Sequence, residues 1–297
     1  MNTELRKGIF ALVCLSVVYS CMGIFVRGLG SDFAVFQQVY LRVFSAFLLA
    51  LIIFWQSIQF KKVLHITYAD WFVIGIRAVA FSVGVVFFTL AFLSEGTSYS
   101  NATFVQTIPL LPVLGYIFLR ERLTIQQTAW IFVGFIGVGL ISITDVHQLI
   151  HWGKGEMFAL LCAIAFDISY VAQKLQSDYL TNRENVVLIF FIEGIVVFAA
   201  SFFFNETLVS MTQILKPSIL FNIGLSAVFN VCNLLLINYG FKRVPVSIGG
   251  NILILETFFA LLISIFFYQE FPVMREIIGG LLIVLSVYGI NRIANQE

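Results

Sequence analysis

The stretch GEMFALLCAIAFDISYVAQKL, residues 155–175, is a largely apolar run with an acidic residue, Asp167, near its middle. About 20 predominantly apolar residues are needed for a helix to cross a bilayer. A charge at the bilayer centre costs about 2.5–3.5 kcal/mol or more, so such a residue usually faces a cavity, a partner or a substrate path. The stretch therefore predicts a membrane-spanning helix that carries a functional side chain at mid-depth.

The rest of the chain has the same character. Of its 297 residues, 60% are hydrophobic and 11% are charged, whereas about a quarter of the residues in a soluble domain are charged. Barrel strands alternate in polarity, which these segments do not, so we predict an all-α integral membrane protein embedded in a lipid bilayer. The net charge of +1, without a basic patch, argues against a nucleic-acid partner.

Windows of about 20 apolar residues predict ten transmembrane helices. They cover residues 8–29, 33–57, 71–93, 98–119, 126–143, 155–175, 186–204, 219–241, 247–268 and 273–290. With the N-terminus inside, eleven Lys and Arg residues fall in cytoplasmic segments and four in outer loops. This bias follows the positive-inside rule and predicts a multi-pass protein with both termini in the cytoplasm.

The opening stretch has a counterpart earlier in the chain. FALLC at 158–162 matches FALVC at 10–14, and YQE at 268–270 matches LRE at 119–121, at offsets of 148 and 149 residues. We therefore predict two five-helix repeats, residues 1–145 and 153–293. Five is an odd number, so the repeats enter the membrane from opposite sides, which is the inverted architecture of many secondary transporters.

Three more charges lie near the middle of predicted spans: Arg42, Glu193 and Glu256. Arg42 aligns loosely with Glu193 across the repeat. Either they form a permanent ion pair that locks the bundle, or Arg42 engages an ionised group of a substrate. A buried carboxylate without a partner can hold or release a proton. Proton coupling through Asp167, Glu193 or Glu256 is therefore a hypothesis.

Uncharged polar residues complete the candidate site. Asn230 and Asn233 are three apart and share a helix face, while Gln106 precedes Pro109 and Pro112 in the fourth span. A mid-helix proline frees a backbone carbonyl that can face a cavity; structural kinks and helix–helix hydrogen bonds are the alternatives. We expect a mid-membrane cavity between the halves, with these substrate-binding residues: Arg42, Gln106, Asp167, Asn230, Asn233 and Glu256.

Four segments resemble a known family: LAF at 90–92, TSYSNA at 97–102, TIPL at 107–110 and LRERL at 119–123. They are similar to the Ala-Leu pair, small-residue helix start, Pro-Leu step and Gly-Glu pair of the EamA-like branch of the drug/metabolite transporter superfamily. Arg120 and Gln269 stand where that family often has Gly. GIRA at 75–78 also resembles S-adenosylmethionine uptake carriers, although Arg77 can be expected simply to extend to the lipid headgroups.

The resemblance implies a bacterial inner-membrane carrier of amino acids, nucleotides, cofactors or drugs. Together with the buried charges, it favours a secondary transporter of a small polar or zwitterionic metabolite, coupled to protons or to exchange. A non-transporting assembly factor or receptor is the alternative. The sequence shows no metal-site spacing and no reactive cluster, so we expect neither a cofactor nor an enzyme, and a monomer and a homodimer both remain open.

Overall fold

A computed structural model describes residues 3–94, 110–142, 153–268 and 271–294. Every regular element in those ranges is a helix. The helices are α1 (Thr3–Gly30), α2 (Val35–Phe54), α3 (Phe60–Leu64), α4 (Tyr68–Leu93), α5 (Leu110–Leu119), α6 (Ile125–Ser142), α7 (Lys154–Leu175), α8 (Asn182–Phe203), α9 (Met211–Ile214), α10 (Pro217–Arg243), α11 (Val246–Leu253), α12 (Leu255–Tyr268) and α13 (Met274–Ala294). One turn of 3₁₀ helix (Trp55–Ser57) follows α2.

The lengths of these helices confirm the all-α membrane class. Eight helical segments in the described ranges are long and apolar enough to cross a membrane, and α5 and α6 are shorter apolar helices. The ten-span count stays a prediction, because residues 98–109 of the fourth predicted span lie outside the described residues. The short helices α3 and α9 lie in the connections between predicted spans.

Helix starts follow signals that can be read from the sequence. Before α8, the Thr181 hydroxyl accepts from the Glu184 amide at 3.3 Å and the Glu184 carboxylate accepts from the Thr181 amide at 2.8 Å. This reciprocal pair is a capping box. At α4, Thr67 accepts from the Asp70 amide at 3.2 Å, and α10 begins with Pro217, whose missing N–H would lack a helical partner in any case.

The start of α11 is capped by a residue far away in the chain. Both carboxylate oxygens of Glu121 accept backbone N–H groups, from Val246 and from Ser247, each at 2.9 Å. Gly115 leaves room for this contact, because a Cβ there would lie 2.7 Å from Ser247 Oγ and 3.1 Å from Glu121 Oε2. A carboxylate at a helix N-terminus satisfies free N–H groups and the helix dipole together. Glu121, which the internal repeat singled out, therefore joins α5 to α11.

The two halves of the chain are packed into each other. Among the described residues, the most extensive helix contacts pair α4 with α7, α6 with α13, α1 with α10 and α2 with α8. Each pair joins a helix before residue 143 to one after residue 152. Exchanging the predicted halves turns the first pair into the third, as a twofold repeat would require. The exact repeat boundaries remain a prediction.

Small residues allow the closest of these contacts. A Cβ on Gly137 of α6 would lie 2.7 Å from the carbonyl oxygen of Gly279 on α13, and a Cβ on Gly279 would lie 2.6 Å from that of Gly137. The two backbones therefore touch directly. Such small-residue contacts are the usual way for membrane helices to gain van der Waals packing, since lipid gives no hydrophobic driving force between helices.

Candidate functional site

The four mid-span charges are all removed from the surface of the bundle. Arg42, Asp167, Glu193 and Glu256 are between 1% and 9% exposed. Each lies on a different long helical segment. No ion pair involving any of them forms among the described residues. A charge in this position needs polar surroundings, and three of the four line internal cavities.

The first cavity, which we call the carboxylate cavity, measures about 60 Å³. Asp167 of α7 and Glu256 of α12 both line it, as do Pro112 of α5, Tyr170 of α7 and Asn251 of α11. The amide nitrogen of Asn251 is buried without a hydrogen-bond partner, while its oxygen accepts from Ser286 at 3.2 Å. The cavity therefore presents two carboxylates and one free amide donor.

The second cavity, the arginine cavity, measures about 30 Å³ and lies between α1, α2, α4, α7 and α10. Arg42, Asn230 and Asn233 line it together with apolar side chains. One Arg42 amino group donates to Thr89 Oγ1 at 3.0 Å, whereas its Nε has no hydrogen-bond partner. Arg42 thus keeps unused donor capacity beside two asparagines.

Tyr19 and Phe166 line both cavities and so form the wall between them. Their ring centroids are 6.4 Å apart. The Tyr19 hydroxyl also hydrogen-bonds the Tyr170 hydroxyl, which links α1 to α7. Neither Tyr19 nor Phe166 stands out in the sequence, because aromatic residues in apolar spans are common in a chain with 33 phenylalanines. The available signal was position, since Phe166 directly precedes Asp167.

Glu193 lines neither of these cavities. It lies on α8, which packs against α2, and its charge acts on Arg42. The two residues do not form an ion pair, and both Glu193 carboxylate oxygens are buried without a hydrogen-bond partner. Arg42 binds Thr89 on α4 instead. The coupling of Arg42 to Glu193 remains a prediction, but a direct salt bridge is not what the structure contains.

The fourth predicted span is only partly visible in this arrangement. Gln106 and Pro109 lie outside the described residues, whereas Pro112 lines the carboxylate cavity. The ninth predicted span, read as one helix, is interrupted at Ile254 between α11 and α12. Ile254 itself lines the carboxylate cavity, two residues before Glu256. Interrupted helices are common at transporter binding sites, because their ends offer free backbone groups.

The position of Arg77 differs from the expectation. Its side chain does not extend to the lipid headgroups: it is 1% exposed. Its guanidinium donates to Gln176 Oε1 at 2.8 Å and to Asn238 Oδ1. The physical reason is that α4 packs against α7 and α8, so that Gln176, directly after α7, and Asn238 of α10 place amide oxygens within hydrogen-bond distance of the guanidinium. Only the fold brings these partners, about 100 and 160 residues away in sequence, to Arg77.

Comparison with known proteins identifies the family of this arrangement. The profile of the EamA-like transporter family matches residues 6–143 and again residues 153–292. No curated protein has a matching sequence. One solved crystal structure has a TM-score of 0.76 to this chain, covers 97% of it and 99% of its own length, and is 13% identical in sequence. At that identity the likeness shows a shared fold alone.

Proposed function

The chain belongs to the EamA-like transporter family, and from that premise we propose that it is a secondary transporter of a small zwitterionic metabolite. Family membership makes it a multi-pass membrane transporter. The substrate class and the coupling are our proposal, and they rest on the two central cavities. We place the protein in a bacterial inner membrane, with both termini in the cytoplasm, as the loop charges suggest.

The observation that carries the proposal is the separation of opposite charges across one aromatic wall. Asp167 and Glu256 line one side, and Arg42 lines the other. An amino acid carries an ammonium group and a carboxylate on one small skeleton. Its ammonium would meet the carboxylate cavity and its carboxylate would meet Arg42, so each buried charge would gain the partner that the protein does not supply.

The aromatic wall extends the range of suitable substrates. Tyr19 and Phe166 would lie beside the middle of a bound zwitterion, and aromatic faces attract cations. An amino-acid-derived cofactor with a positive sulfur, such as S-adenosylmethionine, therefore fits the same chemistry. Hydrophobic drugs fit it less well, because they would leave the charged groups buried without partners.

The coupling ion we propose is the proton. Two carboxylates line one cavity and neither forms an ion pair in the described part of the chain. Such groups can exchange a proton for a substrate ammonium, since both neutralise the same charge. This is the chemistry that exchange of a proton for a substrate requires, and substrate–substrate exchange could use the same groups.

The two central cavities are too small to hold a metabolite, so we infer that the structure represents a closed state of the transport cycle. Cavities of about 60 Å³ and 30 Å³ hold one or two water molecules each, whereas small-molecule sites usually measure about 300–1,000 Å³. A metabolite can enter only after helices separate. Tyr19 and Phe166 form the barrier between the two cavities, and we propose that α11 and α12 move relative to each other at the interruption at Ile254.

The test begins with a thermal-shift screen of the purified protein against amino acids, nucleosides and S-adenosylmethionine, because a ligand of the native state raises the melting temperature. Uptake of the radiolabelled hit into proteoliposomes is then measured with and without an imposed pH gradient. We expect uptake that depends on the gradient or on substrate inside the vesicle, and loss of uptake in Arg42→Gln and Asp167→Asn.

The matched control is Asp32→Asn, which makes the same chemical change at an exposed carboxylate that pairs with Lys216 at 3.5 Å. It should transport like the unchanged protein. Specific binding without any uptake would instead favour a receptor. Tight binding of a ligand without ionisable groups, unaffected by Arg42→Gln, would remove the zwitterion proposal.

A further inference from the structure

A wide polar cavity opens at one end of the bundle, apart from the two central cavities. It measures about 610 Å³, within the size range of small-molecule sites. Its lining comes from the C-terminal ends of α7 and α10, the connection after α7 and the start of α8. We call it the end cavity. It shares no lining residue with either central cavity.

Arg77 lies behind the wall of the end cavity. It binds Gln176 and Asn238, both of which line this cavity. In the described part of the chain, no carboxylate forms an ion pair with Arg77. Its neighbours are neutral amides, which solvate the guanidinium without cancelling its charge. A buried, uncompensated cation of this kind leaves a positive potential in the adjoining cavity.

Arg77 also determines which way the neighbouring amides face. A guanidinium only donates hydrogen bonds, so Asn238 must turn its oxygen toward Arg77. The Asn238 amide nitrogen is then left as a buried donor without a partner. The same reasoning applies to Gln176: its oxygen binds Arg77, so its nitrogen donates to Asn185 Oδ1 at 2.5 Å. Asn185 in turn has its own amide nitrogen left to donate.

Three cations line the end cavity, and two of them, Lys242 and Arg243, are paired with Asp178 and Glu4. Lys174 is the third. Lys174 donates to the carbonyl oxygens of Phe241 at 2.9 Å and Val244 at 3.1 Å, and it forms no ion pair among the described residues. The negative charge of Glu121 acts on Lys174, but both Glu121 carboxylate oxygens already accept backbone N–H groups at the start of α11. The acid that lines the cavity, Asp178, is paired with Lys242 at 2.7 Å.

We propose that the end cavity binds a small oxyanion, a carboxylate or phosphate group, held by the amide donor of Asn185 and the ammonium of Lys174, with the charge of Arg77 behind the wall adding to the positive potential. The ligand accepts a hydrogen bond from the Asn185 amide and brings negative charge to two cations that form no ion pair in the described part of the chain. Ionised acceptors form the stronger hydrogen bonds with such donors. The proposal is independent of what the central cavities transport, since it concerns different residues.

The test is direct binding of radiolabelled inorganic phosphate to the purified, detergent-solubilised full chain by scintillation proximity, with chloride at equal ionic strength as the background. Unlabelled succinate serves as the carboxylate competitor. We expect saturable binding that succinate displaces. Lys174→Gln and Asn185→Leu should each weaken it by about tenfold or more, because each removes a charge-assisted contact. Arg77→Gln should weaken it as well, because it removes the positive charge behind the cavity wall.

Lys216→Gln is the matched control for Lys174→Gln. It removes the same charge from the opposite end of α10, where Lys216 is exposed, and binding should stay within about twofold of the unchanged protein. If Arg77→Gln fails to fold, as judged by size-exclusion chromatography, the Lys174 and Asn185 variants carry the result. Absence of saturable phosphate binding, or normal binding in both of those variants, overturns the proposal.

A lipid headgroup could supply the same phosphate chemistry as a free solute. Phosphate binding is therefore repeated in nanodiscs of phosphatidylcholine alone and of phosphatidylcholine with phosphatidylglycerol. Competition by phosphatidylglycerol assigns the oxyanion site to a lipid phosphate. Equal phosphate affinity in both membranes assigns it to a soluble anion.

Discussion

At the scale of single residues, the buried charges of this transporter meet neutral partners more often than opposite charges. Arg42 binds a threonine hydroxyl and Arg77 binds two amide oxygens, while Glu193 has no hydrogen-bond partner in the described part of the chain. Removing a charge from water without an ionic partner is costly. Such charges are retained in membrane proteins where a substrate or a proton neutralises them during function.

The first prediction concerns Arg42 and Glu193. Each single change, Arg42→Gln or Glu193→Gln, leaves the other charge without its opposite, so the double variant should be more stable than the sum of the two single losses predicts. The measurement is the melting temperature in detergent of all four proteins. Lys216→Gln with Asp32→Asn, an exposed pair, is the control cycle and should be nearly additive. Additivity within about 0.5 kcal/mol at Arg42 and Glu193 would show that they act independently.

A second prediction at this scale concerns the hydrogen bond between the Tyr19 and Tyr170 hydroxyls. Tyr170→Phe keeps the ring and removes the hydrogen bond to Tyr19, which stabilises the closed arrangement by about 1 kcal/mol. We expect the rate of substrate uptake to rise by up to about fivefold, because the free energy needed to open the closed arrangement falls by about 1 kcal/mol. Uptake into proteoliposomes measures it.

Tyr19→Phe is the partner variant for this prediction. It removes the same hydrogen bond, so the double variant should behave like either single one. Two effects that add would mean that the hydroxyls act separately.

Residue types alone could identify the charged and amide members of the candidate site. Among the proposed residues that the structure describes, all except Glu193 line one of the two central cavities, because a polar side chain at mid-span has few other places to go. Their grouping could not be predicted: which cavity a residue lines depends on helix rotation, and helix rotation is decided by packing. The hydrogen-bond partners of Arg77 could not be predicted either, since neutral amide residues form no distinctive sequence pattern.

At the scale of helices, some helix starts follow from neighbouring residues in the sequence, whereas others depend on residues that are distant in the chain. The capping box before α8 and the proline of α10 can be read directly from the sequence. The cap of α11 cannot, since Glu121 is about 125 residues away from the amides that it binds. The internal repeat singled out Glu121 but did not indicate that it caps α11.

The contact between α6 and α13 gives a third prediction. Gly137→Ala would place a methyl group 2.7 Å from the Gly279 carbonyl oxygen, so the two helices must move apart. We expect a lower melting temperature, because overpacking costs about 1–3 kcal/mol, more than the helix propensity that alanine adds.

Gly224→Ala on α10 is the control, since nothing lies within 4 Å of a Cβ there. It should be neutral or slightly stabilising. A melting temperature that is unchanged in Gly137→Ala would show that the α6–α13 contact is looser than described.

At the scale of the whole molecule, membership of the bilayer and the all-helical class follow from composition, because so few charged residues cannot cover a soluble surface. Orientation depends on the loop charges alone. The fourth prediction is that reporter fusions after residue 290 read cytoplasmic and fusions within 146–154 read external. Paired reporters that are active on opposite sides of the membrane provide the control. The reverse pattern would remove both the orientation and the inverted repeat built on it.

The packing of the two halves into each other has a consequence for how the protein is made. The first-half helices leave the ribosome before α7, α8 and α10 exist, so Arg77 enters the membrane without Gln176 and Asn238. Until those helices are inserted, the charge of Arg77 must be stabilised by water or by the insertion machinery. A ribosome pause or truncation near residue 150 would therefore leave an intermediate with an unshielded cation. We expect quality-control proteases to remove that intermediate, so the first half should not accumulate when it is expressed alone.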